Sequence, residues 1–217
     1  MNTALLSVFG SCIAVIIPLL SVCVIIKEKS SRRILLYFCW GTFAGLLAFI
    51  INNFLTISQD EGSRLQTVIA PMTEEFIKGL PLLLFLSRKK HSQITVSIVY
   101  CAFAAGVGFS IQESLFHFTH SSGSASHLIT LIVRTLTTSI MHGVTTAIIG
   151  AGLMMIQSQR HIILPLIFGL FAVSISVHAI FNLLLPSNLA IIAILMPVGL
   201  YFAGMALLRS NKTITNF

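Results

Sequence analysis

The sequence predicts an all-α membrane protein: a bundle of about seven transmembrane helices, with the N-terminus outside and the C-terminus in the cytoplasm. Three observations predict it. Of the 217 residues, 56% are apolar and only 9% are Asp, Glu, Lys or Arg, against about a quarter charged in a typical soluble domain. Apolar runs of about 20 residues, enough to cross a hydrocarbon core of about 30 Å, recur along the whole chain. The basic residues fall in alternate loops between those runs.

The runs are 4–26, 34–57, 67–86, 94–118, 131–156, 162–185 and 189–208. They leave no room for a soluble domain, so residues 1–217 are expected to form a single polytopic membrane domain. No basic region precedes the first run, which therefore reads as a permanent span rather than a cleaved signal peptide. Lys27, Lys29, Arg32 and Arg33 follow span one, Arg88, Lys89 and Lys90 follow span three, Arg160 follows span five, and Arg209 and Lys212 follow span seven. The loops on the other side carry Arg64 alone. The positive-inside rule then places the N-terminus outside, and an odd number of spans places the C-terminus in the cytoplasm. The formal net charge of +7 reports orientation in the bilayer, not a nucleic-acid partner.

Within the spans, small residues mark packing seams. Span two has Gly41 and Gly45 in a GxxxG arrangement, and span four has Ala102, Ala104, Ala105, Gly106, Gly108 and Ser110. Such residues let helix backbones approach closely. Tyr37 and Trp40, near the inner end of span two, read as interfacial anchors. Cys12, Cys23, Cys39 and Cys101 lie in apolar runs without a CxxC pair and read as small core residues.

The informative residues are the polar ones inside spans: Glu74, Glu75, Lys78, Glu113, His117, Arg134, His142 and His178. One charge at a helix centre costs about 2.5–3.5 kcal/mol on insertion scales, so these groups must pair, line a wet cavity or give up their charge. Counting 1.5 Å per residue along alternating spans puts Glu74, Glu113, His142 and His178 at similar depths in the outer half. Lys78 is one turn from both Glu74 and Glu75, and two adjacent carboxylates cannot both hold charge cheaply, which suits one of them to general-base work. His178 and Asn182 share a helix face at i,i+4, as do Glu113 and His117, and Arg134, Thr138 and His142 follow at the same step.

These parts suit peptide hydrolysis. A carboxylate takes a proton from water, the water attacks the scissile carbonyl, and Asn182 or a histidine donates to the oxyanion. Zinc held by His142, His178 and Glu75 or Glu113 is an equal alternative to a metal-free glutamate mechanism. No HExxH is present.

Glu74-Glu75-Phe-Ile-Lys78 with Pro81 resembles the EExxK segment of the PrsW family of intramembrane proteases. Gly106 to Glu113 resembles that family's glycine-rich stretch, although Ser114 stands where the family usually has Asn. Arg134 to His142, with Thr145 and Thr146, resembles its third motif. His178 and Asn182 resemble the HxxxN pattern shared with CAAX prenyl endopeptidases and bacteriocin-processing membrane proteins. The resemblance implies a multi-pass protease of the bacterial plasma membrane. It would cut a single-span membrane protein, such as an anti-sigma factor, near the extracytoplasmic side. It also implies that Glu74, Glu75, His142, His178 and Asn182 are catalytic, with Lys78, Glu113 and Arg134 supporting them.

Two other classes compete. A proton- or ion-coupled transporter also needs intramembrane Glu, His, Lys and Arg, but the polar groups form one outer cluster rather than a path, and no inverted repeat is visible. A non-catalytic scaffold would have no need to keep the whole set of Glu, His and Asn.

Overall fold

The computed structural model describes residues 27–57, 64–87, 97–120, 125–156 and 163–214. Among them are six helices and no strand: α1 (Lys29–Ile57), α2 (Arg64–Ser87), α3 (Ser97–His120), α4 (Ala125–Ile156), α5 (Ile163–Leu184) and α6 (Ala190–Ile214). Five of these, all but α2, are long and apolar enough to cross a membrane, and the chain is a multi-pass membrane protein. The predicted first span, 4–26, lies outside the described residues, as do the basic residues 88–90 and Arg160. The predicted third span is α2, a helix of 24 residues. It falls short of the others in apolar character because it carries Glu74, Glu75 and Lys78.

Local chemistry sets the helix ends. Glu28 caps α1: its two carboxylate oxygens accept the backbone N–H of Ser30 at 2.9 Å and of Ser31 at 2.6 Å. Those N–H groups have no intrahelical partner at a helix start, and a carboxylate there also complements the helix dipole. Hydrogen bonds from Ser31 hold the Glu28 carboxyl below its ordinary value of 4.5. Between α5 and α6, Ser187 serves both helices. Its hydroxyl donates to the Leu184 carbonyl at 2.7 Å and accepts the Leu189 N–H at 3.1 Å.

Close backbone approach organises the centre. A Cβ on Gly41 or Gly108 would collide with the backbone carbonyl of Ala105 or Phe38 respectively, so α1 and α3 touch backbone to backbone. A Cβ on Gly106 would collide with the carbonyl of His142, so α3 meets α4 in the same way. In lipid, helices associate by such close packing rather than by water exclusion. The expected packing seams are therefore real, and the second of them lies beside a proposed site residue.

Tyr37 and Trp40 also bond within the bundle. Pro81 has no N–H and so leaves the Ile77 carbonyl without its helical partner. Trp40 Nε1 donates to that carbonyl at 3.2 Å, and the Tyr37 hydroxyl donates to the Pro81 carbonyl at 3.3 Å. Helix α1 thus replaces the bond that proline removes from α2, just past the acidic pair.

An apolar layer of Leu82, Ile98, Val99, Ala102, Ile149, Leu153 and Phe171 joins α2 to α5. Each of these residues lies on the same side of the polar residues of its own helix, so the layer closes one end of the polar cluster. Cys39 and Cys101 are buried, as core residues.

Candidate active site

Helices α2, α3, α4 and α5 bring six of the predicted residues into one connected cluster. Glu75 and Lys78 are fully buried, and Lys78 Nζ lies 2.6 Å from Glu75 Oε1. The same ammonium donates to His142 Nδ1 at 2.9 Å and sits 4.8 Å from the centre of the Phe109 ring. Because an ammonium only donates, His142 Nδ1 accepts, which leaves the ring proton on Nε2. That nitrogen faces Glu113 Oε2 at 2.7 Å. Arg134 Nη2 lies 4.0 Å from the other Glu113 oxygen.

On the far side, His178 Nδ1 donates to Glu75 Oε1 at 2.8 Å. Its Nε2 is left as an acceptor, 3.7 Å from Glu74 Oε2. The two imidazoles meet edge to face with centroids 4.7 Å apart.

The two adjacent glutamates have different surroundings. Glu75 Oε1 also accepts from the Thr145 hydroxyl at 2.9 Å. The Ser174 hydroxyl lies 3.2 Å from Glu75 Oε2 and 2.6 Å from the Thr145 carbonyl, which the shorter contact makes its main acceptor. One Glu75 oxygen thus takes three hydrogen bonds in a dry site. Glu74 is 16% exposed and Glu113 is 27% exposed. Both line a cleft of about 300 Å³ between α1, α2 and α3.

Glu74, His142 and His178 each place a ligand atom within 4.8 Å of the others'. Two imidazoles and one carboxylate form the donor set of a catalytic zinc site with an open position. Glu75 on His178 Nδ1 is the outer carboxylate that such a histidine commonly uses. Glu74, Glu75 and Glu113 against Lys78 and Arg134 leave one formal negative charge in excess, which also suits a cation. The residues present fit a divalent metal once His142 frees a nitrogen, by turning from Lys78 or by passing its Nε2 proton to Glu113. The carboxylate in this trio is Glu74, where the sequence suggested Glu75 or Glu113: Glu75 is committed to Lys78, His178 and Thr145.

A model of the PrsW family intramembrane metalloproteases matches residues 29–208. The chain belongs to the PrsW family. No curated protein and no solved structure matches it. As in its sequence motifs, the PrsW chain is a peptidase of the membrane, and its EExxK, glycine-rich and third motifs converge on the cluster. The fourth converges in part. His178 belongs to the cluster, while Asn182, one turn on and half-buried, is outside its bonded network. Arg134 stands at its edge. Ser174 was missed by sequence reading, although its place one turn before His178 is a signal that could have found it. The buried residues of α5 are Phe171, Ser174, His178 and Phe181, one stripe along the helix.

Proposed function

We propose that this PrsW-family chain hydrolyses a single-span, membrane-anchored protein near its extracytoplasmic boundary, using water activated at Glu74, Glu113, His142 and His178. In this reading the chain crosses the membrane seven times, and the cleft end of the bundle faces away from the cytoplasm. The observation that carries the reading is the meeting of both imidazoles with two cleft-lining carboxylates at the end of a polar cluster that an apolar layer closes on its other side. A transport path would need polar groups beyond that layer. A hydrolase needs only one opening.

The chain's own residues divide the work. Glu113, hydrogen-bonded through one oxygen to His142 and half-open to the cleft, takes the proton from the attacking water. Lys78 fixes His142 with Nε2–H toward that carboxylate, so the imidazole can return a proton to the leaving amine. Glu75 orients His178 and Lys78 and takes no proton, because it is fully buried and its Oε1 already accepts three hydrogen bonds. Asn182 is the remaining donor for the oxyanion. Alternatively, Glu74, His142 and His178 would hold a divalent ion, which when bound supplies Lewis acidity to the carbonyl and the water; His142 would then be a ligand, and Glu113 alone would carry the proton.

The test is reconstitution of the purified chain in liposomes with single-span peptides. Glu74→Gln and His178→Ala are each expected to lower the cleavage rate at least about 100-fold. Loss of cleavage with a chelator and recovery with zinc would assign the metal; cleavage indifferent to chelation would assign the glutamates alone. Cleavage that survives both substitutions would overturn the reading. A proton flux lost in both variants, without cleavage in the wild type, would make the chain a transporter.

A further inference from the structure

Helix α1 supplies none of the six clustered residues, yet it forms one wall of the cleft beside them. The cleft's other walls come from α2 and α3, and Glu74 and Glu113 are part of its lining. About 300 Å³ is the lower end of the roughly 300–1,000 Å³ that ligand sites occupy. An intact helix, about 10–12 Å across with its side chains, does not fit such a space.

The lining has two further features. Phe49 of α1 and Phe116 of α3 face each other with ring centroids 5.9 Å apart, and Ala48 and Ala70 leave room between the walls. Asn53 of α1 and Gln112 of α3 bring carboxamides to the same cleft. The Asn53 Nδ2 donates to the Phe49 carbonyl at 2.9 Å, which leaves its side-chain oxygen to accept from an incoming N–H. A carboxamide both donates and accepts, as a peptide group does. An unwound backbone in apolar surroundings must find such partners, since lipid offers none.

We infer that this cleft is the substrate-backbone subsite. It takes one unwound stretch of the substrate chain next to the scissile bond, holds its peptide groups with Asn53 and Gln112, and limits its side-chain size with the Phe49–Phe116 pair. The inference rests on the peptidase reading for its meaning, but binding at the cleft can be measured without cleavage.

The experiment has two arms and uses a synthetic single-span peptide whose apolar stretch ends in a helix-breaking Gly-Ser boundary. In the first, Asn53 is replaced by a photoreactive phenylalanine in the Glu74→Gln chain, with the same replacement at Leu207, on the far face of α6, as control. Crosslinks to the peptide boundary from position 53 and not from 207 are expected. In the second, Asn53→Leu should lower kcat/KM about five- to tenfold, through KM rather than kcat, the scale of one lost hydrogen bond. Phe116→Ala should shift preference from Ala toward Phe beside the cut. Equal crosslinking at both positions, or none at 53, would overturn the subsite; if the wild type still cleaves, the peptidase reading survives that loss. Crosslinking at 53 without any wild-type cleavage would keep the subsite and remove the hydrolysis.

Discussion

The two sides of the polar cluster are built from the same residue types and differ in access to water. On one side Glu75, Lys78, Thr145 and Ser174 are fully buried and saturate one another. On the other, Glu74, Glu113 and Arg134 are partly exposed, with Glu74 3.7 Å from His178 and Arg134 4.0 Å from Glu113. The imidazoles of His142 and His178 touch both sides. The difference teaches that a buried ion pair beside a proposed site need not be chemistry. A fully buried carboxylate, one of whose oxygens already takes three hydrogen bonds, holds its neighbours still and is shut off from water. The dry side is therefore the frame, and the cleft side is the place where a proton can move.

The strongest way to break this comparison is to remove the cation of the dry side. Lys78→Met leaves Glu75 buried without its charge partner, which typically costs about 3–5 kcal/mol. Little folded protein and no cleavage are expected, read as yield of monodisperse chain and thermal unfolding in detergent. Replacing both residues, Glu75→Met with Lys78→Met, should regain most of that stability, because apolar pairs often replace buried ion pairs at no loss. Cleavage should stay absent, since His142 and His178 lose the groups that orient them. Recovery of activity in the double variant would show that the dry side does not position the imidazoles.

The matching change on the cleft side is Glu113→Gln. It keeps size and hydrogen bonding, so stability should move by no more than about 0.5 kcal/mol, while kcat falls about 10²- to 10⁴-fold. A variant that unfolds like Lys78→Met, or that cleaves like the wild type, would erase the distinction between the two sides. Ser174→Ala is milder. It removes the hydroxyl beside Glu75 Oε2, and should cost about 1 kcal/mol of stability while cleavage falls less than about tenfold. Its value is the ratio: a large loss of rate with intact stability would move Ser174 from the frame to the reaction.

How much of this was legible in the sequence depended on whether it followed from periodicity. Helix positions follow from apolar runs, and the five apolar helices fall where the runs predict, although three of them extend five or six residues past an expected end. That Glu74, Glu75, Lys78, Glu113, His142 and His178 meet was also legible, because depth can be counted along alternating spans. What depth does not contain is azimuth. Glu74 and Glu75 differ by one residue, about 100° around a helix of 3.6 residues per turn. That rotation sends one to the cleft and the other to the dry pocket. The wall formed by α1, and the bonds from Trp40 and Tyr37 to the backbone of α2, depend on which helices are neighbours, which no run length records. Ser174 was passed over because a serine in an apolar span has a ready bland explanation, a bond to its own helix.

The smallest expected effect lies outside the cluster, at the start of α1, and sharpens the comparison by showing what a carboxylate does when water is freely available. Glu28 caps α1 with both oxygens and its carboxyl is held below its ordinary value of 4.5 by hydrogen bonds from Ser31. A depressed carboxylate stabilises the fold above its ordinary value and loses that contribution as pH falls through the lower, folded value. Hydrogen exchange at the Ser30 and Ser31 amides should therefore be slow near neutral pH. It should speed up in acid relative to the Glu28→Ala chain, in which the two amides are unprotected at every pH. The effect should stay local, because the first turn of a helix frays without the rest of it. Cleavage measured above that range should be the same in both chains, since nothing links the cap to the cluster except the length of α1. If Glu28→Ala lowered cleavage as much as Glu113→Gln does, the frame would extend to the helix end, and the division between dry side and cleft side would no longer describe where the chemistry depends on structure.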